Sequence, residues 1–167
     1  MNTLKFIAAC AALTGAAAAF SHEAQHPPRK ATSSAMPAEQ KAWGIAGQPR
    51  AVRRTIEIAA ADDMSFTPSV IEVREGDTVR LRLKNRGKDL HELVLGTPAE
   101  IESHAALMKK HPTMEHDEPW MTHVQPGKTG EVVWHFNRAG DFDFACLVKD
   151  HYELGMAGRI RVLAARN

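Results

Sequence analysis

Cysteine is scarce in this 167-residue chain, which contains only Cys10 and Cys146. Cys10 lies in an apolar, alanine-rich stretch that follows Lys5 and ends near Ala19-Phe20-Ser21, a pattern typical of an export signal. Removal of residues 1–21 as a signal peptide would leave Cys146 alone, so the mature chain could form no internal disulfide. A lone thiol in an oxidising compartment is expected to be buried, paired with another chain or bound to a metal.

Long apolar runs are also lacking after this first stretch. The run from Phe6 to Phe20 is shorter than the roughly 20 residues that span a bilayer. We therefore expect a periplasmic protein without a membrane span. The alternative is that Ile7-Ala8-Ala9-Cys10 is a lipoprotein attachment site, although most of the apolar run would then follow the cysteine.

Neither sign of charge predominates, since 21 lysine and arginine residues face 20 aspartate and glutamate residues. This balance argues against nucleic-acid binding through bulk electrostatics. By contrast, nine histidines and seven methionines are more than a chain of this size normally needs.

The chain divides into an arm and a domain. Residues 22–50 are rich in alanine, proline, serine and glutamine and predict a flexible N-terminal arm. Residues 51–167 show short runs of period two, such as Val79-Arg80-Leu81-Arg82-Leu83, punctuated by glycine and proline. This pattern predicts an all-β fold, an antiparallel β-sandwich. Residues 97–125 interrupt it as an insertion of one helix and a loop, because Thr97-Pro98-Ala99-Glu100 is a helix start.

Potential metal ligands cluster near the end of the chain as Cys146, His151 and Met156, spaced Cys-x4-His-x4-Met. Thiolate, imidazole and thioether together suit copper, which a trigonal His2Cys site with a long axial methionine binds. His91, at the opening of an earlier strand, is the best candidate for the second histidine. Taken singly, each residue could serve packing or lie on the surface. Zinc is a weaker alternative, since structural zinc sites normally use no methionine.

At these residues the chain resembles the cupredoxin, or blue-copper, family over roughly residues 55–164. The resemblance rests on Met64-Ser65-Phe66-Thr67-Pro68, Glu75-Gly76-Asp77-Thr78-Val79, His91-Glu92-Leu93 and the segment from Phe144-Ala145-Cys146 to Gly158. More narrowly, it is similar to bacterial periplasmic cupredoxins associated with copper tolerance. The resemblance implies a Greek-key β-sandwich with one type-1 copper bound by four residues, namely His91, Cys146, His151 and Met156.

One departure from the family lies in the ligand loop. This chain has Lys149-Asp150 where relatives commonly have Pro-Gly just before the ligand histidine. The ligand set should survive the change. The rigidity of the loop, the reduction potential of the copper centre and the docking of a partner are left open.

A second group of copper donors falls in the insertion. His104, Met108 and His111 share one helical face, and further donors follow in the loop: Met114, His116, Met121 and His123. Together they could capture additional copper weakly. His22 and His26 could add a site on the arm. The alternative is that Ile101, Ala105 and Met108 form an apolar stripe that packs on the sandwich.

Three classes of function compete. The chain could handle copper through a redox-active site and so confer tolerance, or it could be a one-electron carrier to a respiratory or oxidase partner protein. It could also be a copper enzyme, but multicopper enzymes usually require His-x-His pairs, and the sequence has none. We expect a non-enzymatic, monomeric copper-tolerance protein, with Cu(I) oxidation left open.

Overall fold

The computed structural model describes residues 38–111, 114 and 116–166. The predicted signal peptide, most of the predicted arm, His22 and His26 lie outside these ranges. Among the described residues, no helix has the length and apolar character needed to cross a membrane.

Two five-stranded sheets pack face to face. The first has the strand order β1-β8-β5-β2-β3 and the second β4-β10-β9-β6-β7. The strands and the α-helix of the described ranges are β1 (Ile45–Ala46), β2 (Arg54–Ala61), β3 (Ser65–Thr67), β4 (Val70–Arg74), β5 (Asp77–Asn85), β6 (His91–Gly96), α1 (Pro98–Lys110), β7 (Met121–Val124), β8 (Thr129–Phe136), β9 (Gly140–Ala145) and β10 (Ala157–Leu163).

The predicted sandwich is confirmed, but its strands are not all antiparallel. β2 pairs with β5 in parallel, and β4 pairs with β10 in parallel. Alternating apolar side chains reveal the face of a strand but carry no information on the direction of its neighbour, so the pattern could not show this.

The core lies between the sheets and takes alternate side chains from each strand. In β5, Leu81 and Leu83 are buried while Arg82 between them is partly exposed. The largest buried side chains include Trp134, Phe136 and Phe144.

The folded domain begins earlier than the predicted boundary at Ala51. Trp43 is buried and stacks near Trp134, whose indole Nε1 donates to the Trp43 carbonyl at 2.8 Å. β1 then pairs with β8. The polar composition of this segment predicted a flexible arm. Its single tryptophan was not enough to predict a folded segment instead.

Helix α1 covers the outer face of the second sheet. It begins at a capping box of Thr97 and Glu100, as predicted, and His111 is its C-cap. Ile101 and Ala105 are buried against Val94 and Ala145. Because α1 covers one face of β6 and the core covers the other, every residue of β6 is buried. The insertion also contains β7, which pairs with β6 and was predicted as loop.

Candidate metal centre

The predicted ligands meet at one end of the second sheet. His91 opens β6, and Cys146 follows the last residue of β9. These strands are antiparallel neighbours, with Val94 opposite Ala145, so the start of β6 lies beside the end of β9. Cys146 to Met156 then forms a loop that leads into β10. The scaffold, rather than the metal, brings the segments together.

Three donor atoms converge at this edge. His91, Cys146 and His151 place one donor atom each within 4.8 Å of one another, and all three residues are buried. Cys146 Sγ lies 3.3 Å from His151 Nδ1 and 3.9 Å from His91 Nδ1. The two imidazole rings are 5.0 Å apart between centroids.

Met156 is the last residue of the loop that begins at Cys146. The residue is fully buried, and its carbonyl accepts a hydrogen bond from the Cys146 N–H at 3.1 Å. Its own N–H donates to the His151 carbonyl at 2.9 Å. These bonds hold the three loop residues in a fixed relation before any ligand binds. Gly155, with φ of +97°, supplies the left-handed backbone that the turn before Met156 requires.

The Cys146 thiol is protonated in the absence of metal. Burial raises the pKa of Cys146 to about 12, although backbone N–H groups of Glu92 and Val148 act in the opposite direction. The Glu92 N–H donates to Sγ at 3.3 Å. A bound cation would replace the proton, and the N–H would then stabilise the thiolate.

Asp62 fixes the tautomer of His91. Its Oδ1 lies 3.2 Å from His91 Nε2, so the ring donates from Nε2 and leaves Nδ1 free to face Cys146. The Lys88 and Asp89 N–H groups also donate to this carboxylate. The Lys88 bond is the main cause that lowers the pKa of Asp62, which keeps the group ionised.

Asn85 stabilises the turn that contains Lys88 and Asp89. This buried amide donates to the carbonyls of Asp89 and Val124 at 2.7 and 2.8 Å, and its Oδ1 accepts from the Gly87 N–H at 2.8 Å. A Cβ on Gly87 would collide with the Asp62 carboxylate and lie 3.0 Å from His91 Nε2. Glycine is therefore required for the backbone to approach this pair.

The imidazole of His151 is neutral, because its pKa is lowered. Desolvation and the nearby His91 lower the pKa of His151. A neutral imidazole can offer its nitrogen lone pair to a metal, whereas a protonated one cannot. Lys149, two residues earlier, has φ of +52°, a backbone conformation that suits glycine better than lysine.

Glu92, the residue after His91, has a buried carboxylate. Its Oε1 accepts from the Leu147 N–H at 2.6 Å, and its Oε2 lies 2.9 Å from His123 Nε2. Glu92 thereby ties the residue after Cys146 to β7. The hydrogen bond with Glu92 is also the main cause that raises the pKa of His123, and Asp117 contributes further.

The structure brings together only some of the donors predicted in the insertion. His104 Nε2 and His116 Nε2 lie 3.0 Å apart. Met108, Met114, His116 and His123 line one groove. Met121 is buried beneath α1, and His111 is exposed at the C-cap. The apolar stripe of Ile101, Ala105 and Met108 packs against the sheet, as the alternative predicted.

Sequence reasoning missed three supporting residues: Asp62, Asn85 and Glu92. Glu92 carried a usable signal, since it is a carboxylate within the apolar run His91-Glu92-Leu93-Val94-Leu95. Asn85 ends an alternating strand and reads as an ordinary turn residue. Asp62 is 29 positions from His91 and only the parallel pairing of β2 with β5 places it nearby.

The donor set fits copper. Two imidazole nitrogens and a thiol converge in a buried cluster, with a methionine at the end of the same loop. Such a set of soft and borderline donors favours copper over the harder cations.

Comparison with known proteins gives a consistent picture. A family model described as a cupredoxin-like domain matches residues 7–156. The chain is 42% identical over 120 residues to a protein named copper-resistant cuproprotein CopI from Rubrivivax gelatinosus, with 72% of this chain and 73% of the relative covered. It is 35% identical to a protein of the same name from Pseudomonas aeruginosa, with 79% and 88% covered.

Solved structures share the fold. Reduced auracyanin from Roseiflexus castenholzii is similar with a TM-score of 0.57 and 19% identity, which covers 69% of this chain and 99% of the other. Auracyanin A, a "blue" copper protein from Chloroflexus aurantiacus, is similar with a TM-score of 0.55 and 26% identity, which covers 65% and 97%.

Proposed function

Since this chain belongs to the cupredoxin-like family, we propose that it is a periplasmic, mononuclear type-1 copper protein that acts in copper tolerance. The proposed ligands are His91, Cys146 and His151, with Met156 as the weak fourth ligand. The convergence of two imidazole nitrogens on one buried thiol carries this proposal.

Copper at such a centre supplies one-electron chemistry by cycling between its two oxidation states. The protein's residues prepare the site for it. Asp62 holds the His91 tautomer, and the Glu92 N–H favours the thiolate form of Cys146. Burial of the three donor residues keeps bulk water away from the cluster.

The tolerance role is supported by two relatives that bear the name copper-resistant cuproprotein. It is also supported by the histidines and methionines outside the centre. We propose copper binding with a redox-active site as the means, and not enzymatic turnover. The export-signal pattern of residues 1–21 supports the periplasmic location.

Spectroscopy of the full chain with one equivalent of Cu(II) tests the centre. We expect an intense visible thiolate-to-copper band and a type-1 EPR signal, both lost in Cys146→Ser. A weak, tetragonal spectrum that Cys146→Ser leaves unchanged would contradict the proposal. Zn(II) added in competition should displace copper poorly; easy displacement would favour the zinc alternative.

A gene deletion tests the role. We expect the deletion strain to be sensitive to copper while respiration at ordinary copper levels is intact. Complementation with the native gene should restore growth, whereas Cys146→Ser should not. A respiratory defect without copper sensitivity would instead support a one-electron carrier with a protein partner.

A further inference from the structure

We propose that His104 and His116 form a second copper site, on the outer face of the second sheet and separate from the centre at Cys146. This inference goes beyond the proposed function, because it concerns a different ion on different residues. It is carried by the geometry of the two rings and by the groove beside them.

The two imidazoles present the same atom to each other. His104 Nε2 and His116 Nε2 lie 3.0 Å apart, with ring centroids 4.9 Å apart and ring planes inclined at 36°. A metal about 2.0 Å from each nitrogen would subtend an angle of about 95–100°. That angle belongs to adjacent positions of a tetragonal site, the geometry that Cu(II) favours.

Helix α1 holds half of this pair in place. His104 lies one position before Ala105 on α1, and the buried Ile101 and Ala105 anchor the helix on the sheet. His116 comes from the segment that leads to β7. The contact between His104 and His116 therefore joins α1 to the segment before β7.

The surroundings offer soft donors and negative charge. A groove of about 840 Å³ is lined by His116 together with Met108 and Met114, whose thioethers are ligands for copper. Glu92 and Glu118 act electrostatically on His104, and both favour a positive charge there. Both imidazoles are only partly buried, so an ion could reach them from solvent.

The pair could instead be a simple hydrogen bond between the two rings. Desolvation and the adjacent His116 lower the pKa of His104, so its ring is neutral and one nitrogen carries a lone pair. That state suits a ligand equally well. The two interpretations differ in one measurable respect, because only a metal site adds a copper equivalent that depends on both histidines.

The groove is also lined by residues next to the centre at Cys146. Its lining includes Leu147 and Val148, which follow Cys146, and Glu92, whose N–H donates to Cys146 Sγ. His116 and residues next to the proposed centre therefore line one groove.

The test uses the full chain with His22→Ala and His26→Ala as the background, so that histidines of the arm contribute nothing. Copper stoichiometry is measured by equilibrium dialysis against Cu(II), and the bound copper by optical and EPR spectra. We expect two Cu(II) per chain in this background. Adding His104→Ala and His116→Ala should remove one equivalent and the tetragonal EPR signal, while the visible thiolate band is retained.

The converse variant adds Cys146→Ser to the same background. It should lose the visible band and keep one copper whose EPR signal shows coupling to imidazole nitrogen. His111→Ala is the matched control, because this exposed histidine ends the same helix, and it should change neither quantity. If the His104 and His116 substitutions leave stoichiometry and the tetragonal signal unchanged, the second site is wrong.

Two readouts keep the outcomes separate. The visible band reports the centre at Cys146 and the fold, so a double variant that keeps the band but binds one copper supports the inference directly. If the double variant loses the visible band, the single substitution His116→Gln, which lies outside the helix, replaces it. The copper stoichiometry of that variant then decides whether the second site exists. If the His22→Ala, His26→Ala protein shows no visible thiolate band, the proposed function is contradicted. The number of copper ions that depend on His104 and His116 can still be measured in that case.

Discussion

Asp62 accepts a hydrogen bond from His91 Nε2 and is itself held by two backbone N–H groups. Such partners of metal-binding histidines set ring orientation and basicity, and their loss commonly weakens metal binding. The proposed ligands stand out in the sequence because their types and spacing are distinctive. Asp62 does not, because nothing near it in the chain differs from an ordinary turn.

Replacing Asp62 should therefore weaken copper binding without removing a ligand. In Asp62→Ala we expect the affinity for Cu(II) to fall about 10–100-fold, because His91 is free to rotate and to exchange tautomers. Competition titration with a chelator measures the change. Asp63→Ala, in the same exposed turn, is the control and should bind as the native protein does; equal affinity in both variants would contradict the assigned role.

His123 should show a pKa above its ordinary value of 6.5, because Glu92 accepts a hydrogen bond from it. A raised pKa in the folded state means that the pair stabilises the fold fully below about pH 6.5. That stabilisation is lost as pH rises through the pKa of folded His123. NMR titration of the metal-free protein measures the pKa directly.

Two variants check the cause of this shift. Glu92→Gln should bring the pKa of His123 down, and it should reduce the difference in urea stability between pH 6 and pH 8. Asp117→Asn should have the smaller effect, because Asp117 ranks after Glu92 among the causes. A pKa at or below 6.5 in the native protein would be inconsistent with the Glu92 hydrogen bond.

The secondary-structure elements show where the local sequence pattern was enough for a correct prediction. The start of α1 at its capping box follows from a few adjacent residues, and that prediction is confirmed. β7 was missed because Met121–Val124 is short and interrupted by His123. Its pairing with β6 is a tertiary contact that outweighs weak local preference. β1 was missed for the same reason, since two residues carry no periodicity.

The segment before Ala51 should contribute substantially to stability. Trp43→Ala removes a buried indole that packs with Trp120 and Trp134, and we expect a loss of about 3–5 kcal/mol in the free energy of unfolding. Urea denaturation measures the loss. Arg50→Ala, at an exposed position of the same segment, should change stability by less than about 0.5 kcal/mol. Equal stability of the two variants would restore the view of a flexible arm.

At the scale of the whole molecule, two sheets hold the donors in place without a metal. The proposed ligand residues from β6 and from the loop after β9 already converge, so copper binding should leave the far-ultraviolet circular dichroism nearly unchanged. The same pre-formed site binds the folded state alone, and copper should therefore raise the melting temperature.

That rise should depend on pH in a defined direction. Copper displaces the thiol proton of Cys146, whose pKa is about 12, so each unit of pH below that value weakens binding up to about tenfold. At a fixed free copper concentration, the copper-induced rise in melting temperature should be larger at pH 8 than at pH 7. Cys146→Ser should remove this pH dependence, and a pH-independent rise in the native protein would exclude thiolate ligation.

The pairing of β6 with β9 sets the earliest point in synthesis at which the proposed centre can form. β9 ends at Ala145, immediately before Cys146, and its antiparallel pairing with β6 brings His91 to the same edge of the sheet. His91 is synthesised 55 residues before Cys146, and the two cannot meet until β9 has left the ribosome. Until then the nascent chain offers copper only isolated donors, and we expect selective copper binding to begin only after residues 91–156 have been synthesised.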